Sequence, residues 1–196
     1  MTAASHAAHT VAFFQTAFTI VLALALGQAL SQFVSDEDHR PLHWDRLPSF
    51  AAFILILFPF FQGMGRHMFT VYLDPATAPP YRPSYLMFDG VVFLIQAAIL
   101  YVIARAIPPR LWRRFYGAVL LLLAVDMAWA GVTLARGIHV GFWAVLDAAL
   151  AAVLLGVLWW ERGKSETLRP AIICAVAVAI STTLSYLVMT EFYFSR

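Results

Sequence analysis

The chain has 196 residues, of which 62% are hydrophobic and 12% are charged, and its mean hydropathy is +0.77. Soluble domains are about 45–50% apolar and about 25% charged, so this composition excludes an ordinary soluble domain and indicates a membrane protein. The formal net charge of +2, carried by scattered basic residues, argues against a nucleic-acid partner. The single cysteine, Cys174, excludes an internal disulfide.

Six apolar runs are long enough to cross a bilayer, since about 20 helical residues suffice. They are predicted near Val11–Val34, Ser49–Leu73, Tyr85–Ile107, Leu111–Ala135, Val140–Trp160 and Pro170–Phe192. The connections between the runs are short and polar or rich in proline, so no soluble domain fits between them. The sequence therefore predicts one all-α domain over residues 1–196, an integral membrane bundle of six transmembrane helices.

The distribution of Lys and Arg predicts the orientation of this bundle. Nine of these residues lie in the connections after the first, third and fifth spans, and three lie on the other side. Because cytoplasmic loops carry the excess of basic residues, we expect both termini to lie outside. No Lys or Arg precedes the first apolar run, so we expect that run to be retained as a helix in a bacterial-type inner membrane.

Small residues recur at every fourth position in three of the spans, a pattern that lets helices approach closely in a membrane. The three stripes are Thr19, Ala23, Gly27 and Ser31 in the first span, Ala144, Ala148, Ala152 and Gly156 in the fifth, and Ala175, Ala179 and Thr183 in the sixth. We predict that they are packing faces inside the bundle rather than the walls of a ligand groove.

The second span contains a proline and two glycines just before a basic pair. Pro59 lacks a backbone donor, and Gly63 and Gly65 weaken the helix again, which predicts a bend or break of the kind found at transport sites. Arg66 follows directly. A cation in the apolar part of a bilayer costs about 2.5–3.5 kcal/mol on insertion scales, so we expect Arg66 to have an acidic partner.

Ionisable residues from four spans are predicted to lie in the outer half of the membrane. At 1.5 Å per residue, Asp89 lies roughly 6 Å deep, Arg66, His67 and Asp147 roughly 10–12 Å, and Asp126 roughly 15 Å. These five residues are the candidate binding or permeation site, with Arg66 holding the carboxylates and Asp126 binding a proton. The alternative hypothesis is that they only bind one another and stabilise the bundle.

A metal site built from His67, His139 and two of the aspartates is a weaker hypothesis, because the ligands come from separate helices without metal-binding spacing. We predict no cofactor, and no nucleotide-binding motif is present. The favoured function is a small transporter or channel with an outward-facing polar cavity for a proton, a cation or a small solute. The alternatives are a non-catalytic subunit or assembly factor of a membrane complex, and an intramembrane metal-dependent enzyme.

Partners beyond the lipid bilayer are also expected. A protomer of six helices has little interior of its own, which favours a homo-oligomer or a partner within a membrane complex.

Overall fold

The computed structural model describes residues 3–34, 42–74, 82–164 and 167–194. Within these ranges, six helices of 20–31 residues are long and apolar enough to cross a membrane, which confirms the predicted all-α bundle. The helices are α1 Ala3–Phe33, α2 Leu47–Tyr72, α3 Pro83–Arg105, α4 Trp112–Ala135, α5 Gly141–Trp160, α6 Leu168–Val188 and the short α7 Thr190–Phe194. Arg40 and Arg196, which were counted in predicting the orientation, lie outside the described residues.

Two helix ends differ by four or more residues from the predicted spans. α1 begins at Ala3 instead of Val11 because the preceding residues, although less apolar, include four alanines and favour a helix. At the other end of the chain α6 stops at Val188, and Met189 separates it from α7. Hydropathy locates the apolar part of a helix but not its polar extension, which explains the first difference.

The six long helices form a closed ring in which neighbours follow the order α1, α3, α4, α5, α6 and α2. α2 also contacts α3 directly. Large aliphatic and aromatic side chains fill the interior. On α1 the buried residues recur at steps of three and four, and they are Ala7, Val11, Phe14, Phe18, Leu22, Ala25 and Ala29. The outward faces carry exposed apolar residues such as Phe13, Ile20 and Leu24, as expected of a surface that contacts lipid.

The prediction that the small-residue stripes pack inside the bundle is wrong for α1 and for most of α5. Thr19, Ala23, Gly27 and Ser31 of α1 are all exposed, as are Ala148, Ala152 and Gly156 of α5, whereas Ala144 of α5 and Ala175 and Ala179 of α6 are half-buried. The buried face of α1 is a different stripe, in which large side chains alternate with alanines. The ring centroid of Phe18, for example, lies 5.8 Å from that of Phe60 and 6.3 Å from that of Phe61, both on α2.

Close approach of two helices is achieved at one glycine of α3. A Cβ atom added to Gly90 would collide with the ring of Phe14 on α1. The missing side chain therefore lets a buried aromatic ring of α1 lie directly on the α3 backbone, next to Asp89.

The helix break predicted around Pro59 does not occur. α2 is continuous from Leu47 to Tyr72 and passes through Pro59, Gly63 and Gly65. Proline deprives the Leu55 carbonyl of its usual N–H partner, but the Thr182 hydroxyl of α6 donates to that carbonyl at 3.0 Å. Because an unbonded carbonyl is costly in a bilayer, this substitute donor explains how α2 tolerates the proline.

Thr182→Val is accordingly expected to lower stability by about 1 kcal/mol, since it removes the donor and leaves the Leu55 carbonyl unbonded. The matched control is Thr183→Val, which changes the adjacent, exposed threonine and should have little effect. Thermal unfolding in detergent measures both. In a Pro59→Ala background the helix regains its own N–H donor, so Thr182→Val should then cost much less; equal costs in the two backgrounds would contradict this role.

Candidate functional site

The chemistry-bearing side chains meet at the end of the bundle where α2, α4 and α6 finish and α3 and α5 begin, which we call the cavity end. Of the five predicted site residues, the structure gathers His67, Asp89, Asp126 and Asp147 there in two adjoining groups. Arg66 belongs to neither group. The first group surrounds Asp89 and the second lines a cavity.

Asp89 is completely buried and accepts four hydrogen bonds from side chains. Two of the donors lie on α2, one lies on α4 and one is the residue that follows α4. Oδ2 accepts from Tyr72 at 2.6 Å and lies 3.0 Å from Nε2 of His67. Oδ1 accepts from Trp129 at 3.1 Å and from Arg136 at 3.0 Å. We call these five residues the Asp89 cluster. With two donors on each oxygen, the carboxylate has little capacity left for a ligand.

Arg136, directly after α4, is the cation that pairs with Asp89. Its side chain is only 10% exposed, and its guanidinium lies 4.2 Å from the ring centroid of Tyr85 and 4.7 Å from that of Phe88. Aromatic faces and a buried carboxylate thus replace the water that the guanidinium loses. The expectation that Arg66 holds this carboxylate is therefore incorrect: Arg136 does so.

Arg66 lies on a different side of α2. It lines a separate cleft with Gln15 and Thr19 of α1 and Gln62 of its own helix. Successive residues of an α-helix are about 100° apart around its axis, so Arg66 and His67 cannot both face the same neighbour. His67 takes the inward position, 5% exposed, and Arg66 faces the cleft beside α1.

A cavity of about 260 Å³ adjoins the Asp89 cluster and shares His67 and Trp129 with it. Residues of α2, α4, α5, α6 and α7 form most of its wall, with Phe93 contributed by α3. His139, which is exposed in the connection between α4 and α5, also lines it. Asp126 and Asp147 are the carboxyl groups of this lining, which contains no Lys or Arg among the described residues.

The carboxyl groups of Asp126 and Asp147 line the same cavity and lie close enough to interact, and we call them the carboxyl pair. They meet because the connection between α4 and α5 is short, which places the end of one helix beside the start of the other. Gln96 of α3, completely buried, donates from Nε2 to Oδ1 of Asp126 at 2.6 Å. Its Oε1 is buried and has no hydrogen-bond partner among the described residues.

Tyr193 of α7 lines one side of the cavity. The indole N–H of Trp143 donates to the Tyr193 hydroxyl at 3.2 Å, and Ser185 of α6 lies 3.0 Å from the same oxygen. Trp143 also packs edge-on against Phe192, with ring centroids 4.7 Å apart. These contacts fix the orientation of the aromatic side chains that face the carboxyl pair.

The weaker metal hypothesis gains no support from the geometry. Across residues 3–34, 42–74, 82–164 and 167–194, no three His, Cys, Asp or Glu side chains are grouped as metal ligands. His67 is bonded to Asp89, whereas His139 lies in the connection that borders the cavity.

Several residues of the site carried no sequence signal that would single them out. Arg136 lies at a predicted span end and resembles any basic loop residue, while Gln96, Tyr72, Trp129 and Tyr193 resemble ordinary residues of a membrane helix or its aromatic ends. Only the rotation of each helix about its axis decides that they face Asp89 or the carboxyl pair. No protein-family model, curated protein or solved structure matches the chain.

Proposed function

We propose that this protein is a small membrane transporter whose binding compartment is the cavity and whose charged group is the carboxyl pair. The observation that supports this most strongly is that Asp126 and Asp147 line one cavity whose described lining contains no Lys or Arg. Ionisable residues within membrane helices are costly and commonly mark the path of an ion, a proton or a substrate.

The carboxyl pair suits a proton or a cation better than an anion. Two adjacent carboxylates repel each other, so a proton or another cation bound between them stabilises the pair. Asp89, by contrast, is neutralised by Arg136 and saturated with donors, so its proposed role is to hold α2, α3 and α4 in place.

Transport by alternating exposure fits the packing better than an open channel. The opposite half of the bundle is filled by side chains such as Leu100, Ile103 and Tyr116, none of which is exposed to solvent or lines the cavity. A solute that enters at the cavity end therefore needs a rearrangement of the helices to leave at the other end. In the orientation that the basic residues predict, the cavity faces the outside of a bacterial-type inner membrane.

The second candidate function is that of a subunit or assembly factor in a membrane complex or homo-oligomer. The exposed small-residue stripes of α1 and α5 favour it, because such stripes commonly form helix–helix contacts in membranes. Extraction in a mild detergent distinguishes the two functions. A stable partner protein combined with no transport activity would favour the subunit.

Flux through the purified protein in liposomes tests the transport function. An internal pH-sensitive dye and imposed proton, potassium or sodium gradients should report flux by the native chain, and Asp126→Asn should abolish it. The control is Asp45→Asn, which removes an exposed carboxyl group at the opposite end of α2 and should transport normally. Both variants must elute from size exclusion as the native protein does. Equal flux by all three proteins, or by protein-free liposomes, would contradict the proposal.

A further inference from the structure

We infer that the cavity binds a small monovalent organic cation, a protonated amine or quaternary ammonium, which exchanges with the proton held by Asp126 and Asp147. This inference rests on the proposed transport function and names its class of substrate. It depends on the charge of the lining, its aromatic walls and the size of the cavity.

The charges that face the cavity favour a cation. Its described lining carries the carboxyl pair, while the guanidinium of Arg136, in the adjoining Asp89 cluster, is bonded to Asp89. The other titratable groups of the lining are Tyr193, His139 and His67, which is bonded to Asp89 through Nε2. With the Asp89–Arg136 pair neutral overall, the carboxyl pair determines the sign of the ligand.

The walls around the carboxyl pair are aromatic rather than rich in oxygen ligands. Six aromatic side chains line the cavity: Phe60, Phe93, Trp129, Trp143, Phe192 and Tyr193. Aromatic faces attract organic cations, and recognition of quaternary ammonium groups is a common use of such walls. Two of the hydroxyl groups in the lining are already engaged, Thr182 with the Leu55 carbonyl and Ser185 with Tyr193. A hard divalent ion would instead need about six to eight oxygen ligands.

Charge and size limit the ligand further. When a monovalent cation enters, one proton leaves a carboxyl oxygen for water, so the exchange leaves the net charge of the site unchanged. The cavity of about 260 Å³ is slightly smaller than the roughly 300–1,000 Å³ of typical small-molecule sites. The ligand is therefore a small amine and not a drug-sized molecule.

Titration calorimetry with the detergent-solubilised protein tests this inference. The probes are phenethylammonium and tetramethylammonium. The neutral control ligand is 2-phenylethanol, which has the aromatic group but no charge. We expect both cations to bind and to release a proton into a weak buffer, and phenylethanol to bind at least tenfold more weakly. Asp147→Asn should weaken cation binding at least tenfold, and Trp143→Leu by about three- to tenfold, whereas Asp45→Asn should leave it unchanged.

Equal binding of phenethylammonium and phenylethanol, or equal cation binding by the native chain and Asp147→Asn, would overturn the inference. The liposome measurement, repeated with an imposed tetramethylammonium gradient, separates its failure from that of the proposed function. Flux that depends on Asp126 without amine binding would leave transport standing and reject the amine. Amine binding with proton release but no flux would support the ligand class and contradict transport.

Discussion

Arg136→Met is expected to destabilise the bundle by about 3–5 kcal/mol, because it leaves the buried carboxylate of Asp89 without its cation. Methionine keeps most of the apolar length of the arginine side chain and removes the guanidinium, which binds Asp89 and lies over the rings of Tyr85 and Phe88. Thermal unfolding in detergent, followed by circular dichroism, measures the effect. A large fall in the unfolding midpoint is expected even though Arg136 lies at the end of a helix.

The matched control for this substitution is Arg82→Met, which removes a guanidinium at the same end of the bundle. Arg82 is exposed and donates to the hydroxyl of Tyr85 at 3.0 Å, an interaction of the kind that contributes at most about 1 kcal/mol. Similar unfolding midpoints for Arg136→Met and Arg82→Met would contradict the central place of Arg136 in the Asp89 cluster.

A double substitution checks that the effect is transmitted through Asp89. In an Asp89→Asn background the carboxylate charge is absent, so Arg136→Met should cost less than it does in the native chain. Residues in direct contact usually show a coupling energy of about 0.5–3 kcal/mol. Additive costs would show that Arg136 stabilises the bundle through some other contact.

Asp147→Asn is expected to abolish transport while leaving the fold as stable as that of the native chain. The asparagine amide still donates a hydrogen bond to Asp126, but the pair can no longer exchange a proton for a cation. Removing one of two adjacent acidic groups also removes their mutual repulsion, so no loss of stability is expected. Flux and thermal unfolding are measured on the same preparation.

The carboxyl pair is also expected to act as one unit. Asp126→Asn, Asp147→Asn and the double substitution should each reduce flux to the level of protein-free liposomes, so that the double variant is no worse than either single one. Groups that act together show such non-additive effects. Half of the native flux in each single variant would mean that the two carboxyl groups work independently.

Hydropathy and chain length sufficed to predict the bundle, because the six apolar runs are the six long helices. The predicted depths of Asp126, roughly 15 Å, and of Asp147, roughly 10–12 Å, stay predictions. Depth follows from counting residues along a helix at 1.5 Å each, which needs no knowledge of the neighbouring helices.

The partners of those groups could not be predicted, because pairing depends on how each helix is rotated about its axis. Arg66 and His67 are adjacent in sequence, yet only His67 reaches Asp89. Arg136 looked like a loop residue of the connection that follows α4. Nor does the sequence show that Thr182 of α6 lies beside the carbonyl that Pro59 leaves without a donor.

The choice of buried face on α1 was mispredicted for a related reason. One side of that helix carries a stripe of small residues, and another side carries a stripe that includes large side chains. Either stripe can face a neighbouring helix. In this bundle the aromatic and aliphatic stripe, which includes Phe14 and Phe18, fills the interior. The stripe containing Ala23 and Gly27 is left on the outer surface.

Thiol accessibility tests most directly whether the cavity is a compartment reached by water from the cavity end. A small, membrane-impermeant trimethylammonium methanethiosulfonate is applied to Ser181→Cys, in the cavity, and to His139→Cys, in the exposed connection. The native chain and Val119→Cys are the controls, because Cys174 and Val119 are buried in packed helices. We expect both test variants to react from the same side of the membrane and both controls to stay unmodified. Reaction of His139→Cys alone, with Ser181→Cys as inert as the native chain, would contradict a water-accessible binding cavity.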